Sequence, residues 1–148
     1  MNSITIPACS RWAIFRASDM FMKIDKNNYK EIGTGLRCHD SRVSRFEYDF
    51  NTRVLQLVLS ASAFSNVERV TFEDVVCYRV TGLEPWGHDD TLFDWQYIEP
   101  ERAGTAYHDV IEQISKNDSE MLKNMVFSEF VFKSGDTIFI ACRSILAE

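Results

Sequence analysis

Each of the three histidines in this 148-residue chain is followed by aspartate: His39-Asp40, His88-Asp89 and His108-Asp109. Imidazole and carboxylate together suit zinc, iron or manganese, and they also make acid/base pairs. If the three pairs converged in space, His39, His88 and His108 would serve a small metal-assisted hydrolase. The spacing does not favour this. The sequence holds no helical His-x-x-x-His or Glu-x-x-His pattern. On a strand, neighbouring side chains point to opposite faces, so a His-Asp dipeptide does not chelate as a unit. The structural alternatives are a turn capped by Asp40, a solvent loop at His88-Asp89-Asp90 and an exposed helix face at His108-Asp109. The expectation is no metal and no cofactor.

Cys38 precedes His39, and a nearby imidazolium lowers a thiol pKa. Catalytic cysteine and histidine meet in space and not along the chain, however, which favours a structural Cys38. The sequence has no Gly-x-Ser-x-Gly nucleophile elbow. Gly33-Thr34-Gly35 is too short for a phosphate-binding fingerprint. No catalytic residue is assigned, and the chain is expected not to be an enzyme. The strongest non-catalytic feature is the loop from Leu83 to Trp95. It combines Trp86, Phe93 and Trp95 with Glu84, Asp89, Asp90 and Asp94. Aromatic anchors ringed by carboxylates suit a basic protein partner. The alternative is that the aromatics pack in the core and the acids are merely solvated. Glu84, Trp86, Asp89, Asp90 and Asp94 are the candidate partner-binding residues.

Bulk charge narrows the classes further. Sixteen basic against 22 acidic residues leave a net charge of −6. That opposes binding to nucleic acid or to an anionic membrane surface, and it permits a basic protein partner. Cysteines stand at 9, 38, 77 and 142, and no pair has the short spacing of a zinc site. Cys77 and Cys142 fall among apolar residues and read as core thiols. No basic start runs into an apolar stretch, and no segment approaches the ~20 apolar residues of a membrane span. The expectation is a single domain over residues 1–148, in the cytoplasm, with reduced thiols.

The elements that must position these residues are mostly strands. Residues 3 to 7 read as a short strand, and residues 11 to 24 as apolar but ambiguous. Phe46, Tyr48 and Phe50 alternate with Arg45, Glu47 and Asp49, which predicts a strand with one apolar face. Asn51-Thr52 would turn it into Val54 to Leu59, apolar enough for a strand covered on both faces. A long third strand is expected over 69–81, with Val70, Phe72, Val76, Tyr78 and Val80 on one face and a bulge near Glu73-Asp74. Residues 82 to 90 read as loop. An aromatic strand over 92–98 would place Phe93, Trp95 and Tyr97 together, closed by Pro100. Residues 105 to 125 carry helical spacing, although 107–114 also fits a strand, and Asn117-Asp118-Ser119 can cap a second short helix. A final hairpin runs from Val126 through Lys133-Ser134-Gly135-Asp136 into an apolar strand over 138–145. The fold class is mainly β (α+β): five or six strands in an antiparallel sheet or β-sandwich built from hairpins, with one or two short helices.

Three segments carry a resemblance: the turn His39-Asp40-Ser41-x-Val43, the strand Val70-Thr-Phe-Glu-Asp-Val75 and the closing hairpin Phe132-Lys-Ser-Gly-Asp-Thr-Ile-Phe-Ile-Ala-Cys142. Over roughly residues 36 to 146 the chain resembles small bacterial immunity proteins of polymorphic toxin systems, the fifty-type and YxiG-like families among them. Residues 1 to 35 and the insertion at 83–125 do not match that pattern. The resemblance implies a binding protein without activity of its own, which occludes a cognate toxin in the producing cell. No catalytic residue carries over.

Overall fold

The computed structural model describes residues 22–32, 37–60, 62, 65–81 and 91–148. Among them the alternating segment forms β2 (Arg42–Asp49), paired antiparallel with β3 (Val54–Ser60). Their connection is longer than Asn51-Thr52. The last pair is Asp49 with Val54, so Phe50 to Arg53 all lie in the loop. The Asp49 carboxylate accepts from the Asn51 and Thr52 N–H groups at 2.8 and 3.3 Å, and its carbonyl accepts from Arg53 N–H at 2.8 Å. This local capping draws Phe50 out of the strand and leaves it 79% exposed.

The strands make two antiparallel sheets. The first joins β1 (Met22–Asp25), β4 (Arg69–Glu73) and β9 (Ser144–Ala147) to the hairpin, in the order β1-β9-β4-β3-β2. The second holds β5 (Cys77–Val80), β6 (Leu92–Ile98), β7 (Val126–Phe132) and β8 (Thr137–Cys142), in the order β5-β8-β7-β6. The expected strands over 69–81 and 138–145 are therefore each divided between the two sheets. At the corner, Glu73 pairs with Ser144 and Cys77 with Ala141, so three residues, 74–76, oppose two, 142–143. The irregularity expected near Glu73-Asp74 is this passage between sheets, with Asp74 at φ 52°. Arg143 N–H donates to the Glu73 carbonyl and Val76 N–H to that of Ala141, which carries the pairing through the bend. Val70 and Phe72 are fully buried, whereas Val76, Tyr78 and Val80 keep 36–37% exposure because β5 is an edge strand.

Between the sheets lies the main core. Leu55, Leu57, Val70, Phe72 and Ile145 of the first sheet meet Leu92, Phe130, Ile138 and Ile140 of the second. A second core lies beneath the helices, which follow a short first turn of helix, α1 (Tyr29–Ile32). Pro100 opens α2 (Pro100–Ala106), and α3 (His108–Asn117) and α4 (Ser119–Lys123) follow. Residues 107–114 are thus a turn and helix, not a strand. Asp118 caps α4 by accepting from the Glu120 and Met121 N–H groups at 3.1 and 3.2 Å. Ala103, Tyr107 and Ile114 pack with Phe127, Phe139 and Ala141. Helices on this sheet explain why β7 and β8 are buried on both faces. The cover expected on both faces of β3 is only partial: Leu55, Leu57 and Leu59 are buried, but Val54, Gln56 and Val58 are half-buried.

The segments read as a strand at 3–7 and as loops at 33–35 and 82–90 lie outside the described residues, as does most of 11–24. No helix among the described residues is long and apolar enough to cross a membrane.

Candidate functional site

The turn at His39-Asp40 joins the two sheets at the start of β2. Asp40 takes φ 63°, a left-handed conformation that aspartate tolerates better than most residues. This aims its N–H at the Leu92 carbonyl, 2.9 Å away, while Leu92 N–H donates to the Ser41 carbonyl at 2.7 Å. Arg42 and Thr91 then form a single bridge between β2 and the entry to β6. Lys133 closes the corner twice. Its N–H donates to the Thr91 carbonyl at 3.0 Å, and its ammonium makes an ion pair with Asp40 Oδ1. That ammonium hydrogen bond holds the Asp40 carboxyl below the usual carboxylate range.

His39 lies across the same corner. Its Nδ1 is 2.6 Å from the Phe93 carbonyl, so Nδ1 carries the proton and donates. Nε2 sits 3.6 Å from Asp40 Oδ2. Phe93 is displaced by a shift of register: Leu92 pairs with Phe132 and Asp94 with Val131, which leaves Phe93 as the extra residue. The expected alignment of Phe93 with Trp95 and Tyr97 is broken for that reason. Trp95 is buried and Tyr97 half-buried, but Phe93 is 56% exposed, with its ring edge against His39 at 5.6 Å between centroids. Asp94, beside it, is exposed, and its Oδ1 accepts from Trp95 N–H at 2.9 Å.

Of the five candidate partner-binding residues, Asp94 falls on this surface, while Glu84, Trp86, Asp89 and Asp90 lie outside the described residues. The two described histidines are engaged separately. His108 is exposed on α3, with Nδ1 3.8 Å from Glu112, and the adjacent Asp109 carboxylate pairs with Arg79 of β5. His88 lies outside the described residues. Among the described residues no three histidine, cysteine or acidic side chains gather as a metal site would require.

The described cysteines are free thiols. Cys38 is 2% exposed, and burial, with the Asp94 charge adding to it, pushes its pKa up to about 12. It stays protonated at neutral pH, so its position beside His39 in sequence creates no nucleophile. Burial likewise raises Cys77, to about 11, and Cys142.

Two features emerge only from tertiary contacts. One is a buried carboxylate under the helices: Glu129 accepts from Gln96 Nε2 at 2.5 Å and from the Tyr107 hydroxyl. The other is an exposed aromatic margin where β2 and β5 meet. Tyr48 touches Phe50 and Tyr78 at 4.8 and 4.9 Å between ring centroids, and Phe46 meets Tyr78 at 5.5 Å. The alternation in β2 identified its apolar face, but only pairing shows that the face lies at a sheet edge.

No protein-family model, curated protein or solved structure matches this chain.

Proposed function

We propose that this chain is a non-enzymatic protein-binding module, a bacterial immunity protein that binds and neutralises a toxin, with its partner seated at the Phe93-Asp94 corner. The observation that carries this reading is the exposure of Phe93 on a strand whose neighbouring aromatics are buried. A bulge next to a sheet entry re-aims a side chain outward. The hydrogen bonds and ion pair of His39, Asp40 and Lys133 hold the backbone beneath it, so Phe93 is presented on a rigid support. Asp94 beside it, and the acids Glu84, Asp89 and Asp90 that precede it in sequence, favour a basic partner, as does the net charge of −6. The resemblance to immunity proteins supplies the toxin as that partner. Such a protein acts in the cytoplasm of the producing cell, where its thiols stay reduced.

The test is capture of the neighbouring gene's product, or of any stoichiometric basic partner, by the wild-type chain and by two variants. Phe93→Ala removes the anchor, and Asp94→Asn removes the charge while retaining the acceptor for Trp95 N–H. Loss of about tenfold or more in affinity for Phe93→Ala, with a smaller and salt-dependent loss for Asp94→Asn, is the expected result. Equal affinity for all three proteins would remove this surface from consideration.

A further inference from the structure

We propose that a second copy of this chain pairs antiparallel with the free edge of β2, joining two five-stranded sheets about a two-fold axis at Phe46. Among the described residues, strand β2 ends the order β1-β9-β4-β3-β2, and its bridge to Thr91 is confined to Arg42. Ser44 is taken up by a shift of register and turns its hydroxyl back to the Val58 carbonyl at 3.0 Å. The regular edge is therefore Arg45 to Asp49. Edge strands of this kind offer unpaired backbone groups to another strand.

Charge selects the occupant. Charged side chains normally protect an edge, but here the cation precedes the anions, with Arg45 followed by Glu47 and Asp49. Antiparallel pairing with an identical strand sets the basic half of each against the acidic half of the other. The side-chain period of two then narrows the register. Centred on Phe46, Arg45 of each copy stands opposite Glu47 of the other. Moved one step along, to a centre at Glu47, the two Glu47 carboxylates face each other. Moved the other way, the two Arg45 side chains do so. Like charges directly opposite are destabilising. Registers between these turn the copy's aromatic face to the wrong side. Only the Phe46-centred register satisfies both charge and facing.

The apolar margin agrees with this arrangement. Phe46 is 37% exposed, and Tyr78 behind it 36%. The same two-fold axis brings the two Phe46 rings side by side and extends the Phe46, Tyr48 and Tyr78 cluster into that of the second copy. The Arg45–Glu47 pair within one chain, at 2.7 Å, becomes part of a four-charge group. The contact is isologous, so it closes at two copies.

Sedimentation equilibrium from about 1 to 200 µM tests this, because the range spans micromolar self-association. A concentration-dependent dimer is expected for the wild type. Arg45→Glu and Glu47→Arg should each weaken it by about tenfold, since every single reversal creates two like-charge pairs. The double variant, Arg45→Glu with Glu47→Arg, should restore it. Both side chains are exposed, and circular dichroism of each variant verifies the fold. A monomer throughout, a dimer indifferent to single reversals, or a double variant no better than the singles would each overturn the proposal. Capture of the proposed basic partner is read separately through Phe93, so the two readings fail independently.

Discussion

At the scale of the residue, the His-Asp pairs are legible in the sequence, but their roles are not. Asp40 acts through Lys133, which belongs to a distant hairpin, and no spacing rule links them. Its carboxyl is held below the ordinary range by the Lys133 ammonium. A depressed carboxyl pKa stabilises the fold above the unfolded-state value, and that contribution is lost as pH falls through the folded-state value. Lys133→Ala should therefore destabilise the protein at pH 7, and the difference from wild type should begin to shrink as pH falls below about 4 and vanish only below the depressed folded-state value. Urea denaturation of both proteins at several pH values measures this. A difference that persisted undiminished at low pH would assign Lys133 a role other than the ion pair. Cys38 teaches the same lesson in reverse. Its neighbour in sequence suggests reactivity, and its burial removes it.

At the scale of the element, local pattern located both hairpins and the cap of α4, because each depends on residues a few positions apart. The loop of the first hairpin is two residues longer than Asn51-Thr52. Asp49 folds its carboxylate over the following N–H groups and so lengthens the turn. Arg53 closes that turn at φ 56°, a conformation glycine adopts without steric cost. Arg53→Gly should stabilise the protein by about 0.5–1 kcal/mol, net of its exposed contact with Asp74 at 3.9 Å, which contributes little. A denaturant midpoint unchanged or lowered in this variant would mean that the loop relaxes differently. The apolar pattern over 69–81 and 138–145 is nearly continuous and carries no mark of a division between two sheets. The division at the corner is a consequence of how the two pair, with one residue more on one side than on the other.

At the scale of the molecule, two sheets share one core, and the ring of Phe130 joins them. It stacks on Trp95 with centroids 5.0 Å apart and meets the edge of Phe72 from the opposite sheet at 5.9 Å. Phe130→Ala should cost about 3–5 kcal/mol, a loss of packing on both sides of the sandwich. Chemical denaturation followed by tryptophan fluorescence measures it, and a loss below about 1 kcal/mol would be inconsistent with a ring enclosed on both sides. Among the described residues, α2, α3 and α4 pack on the β5-β8-β7-β6 sheet, and apolar side chains of β2 and β5 stand exposed where the edges of the two sheets meet.

The sequence by itself determined that the chain is mainly β, built from antiparallel hairpins with short helices near 105–125; the helix that Pro100 opens was not legible in it. Alternation and capping are properties of neighbouring residues, so they survive without knowledge of the fold. Tertiary structure alone decided which apolar faces are covered. Trp95 and Phe93 differ by two positions in one aromatic run, yet a shift of register buries one and exposes the other. Phe46 and Phe72 both lie on apolar faces, yet the end of the sheet order leaves the first half-exposed while the second is enclosed. Period reports which side of a strand is apolar. Coverage of that side depends on strand order and on contacts between residues far apart in the chain, and these are set only when the sheets close around their common core.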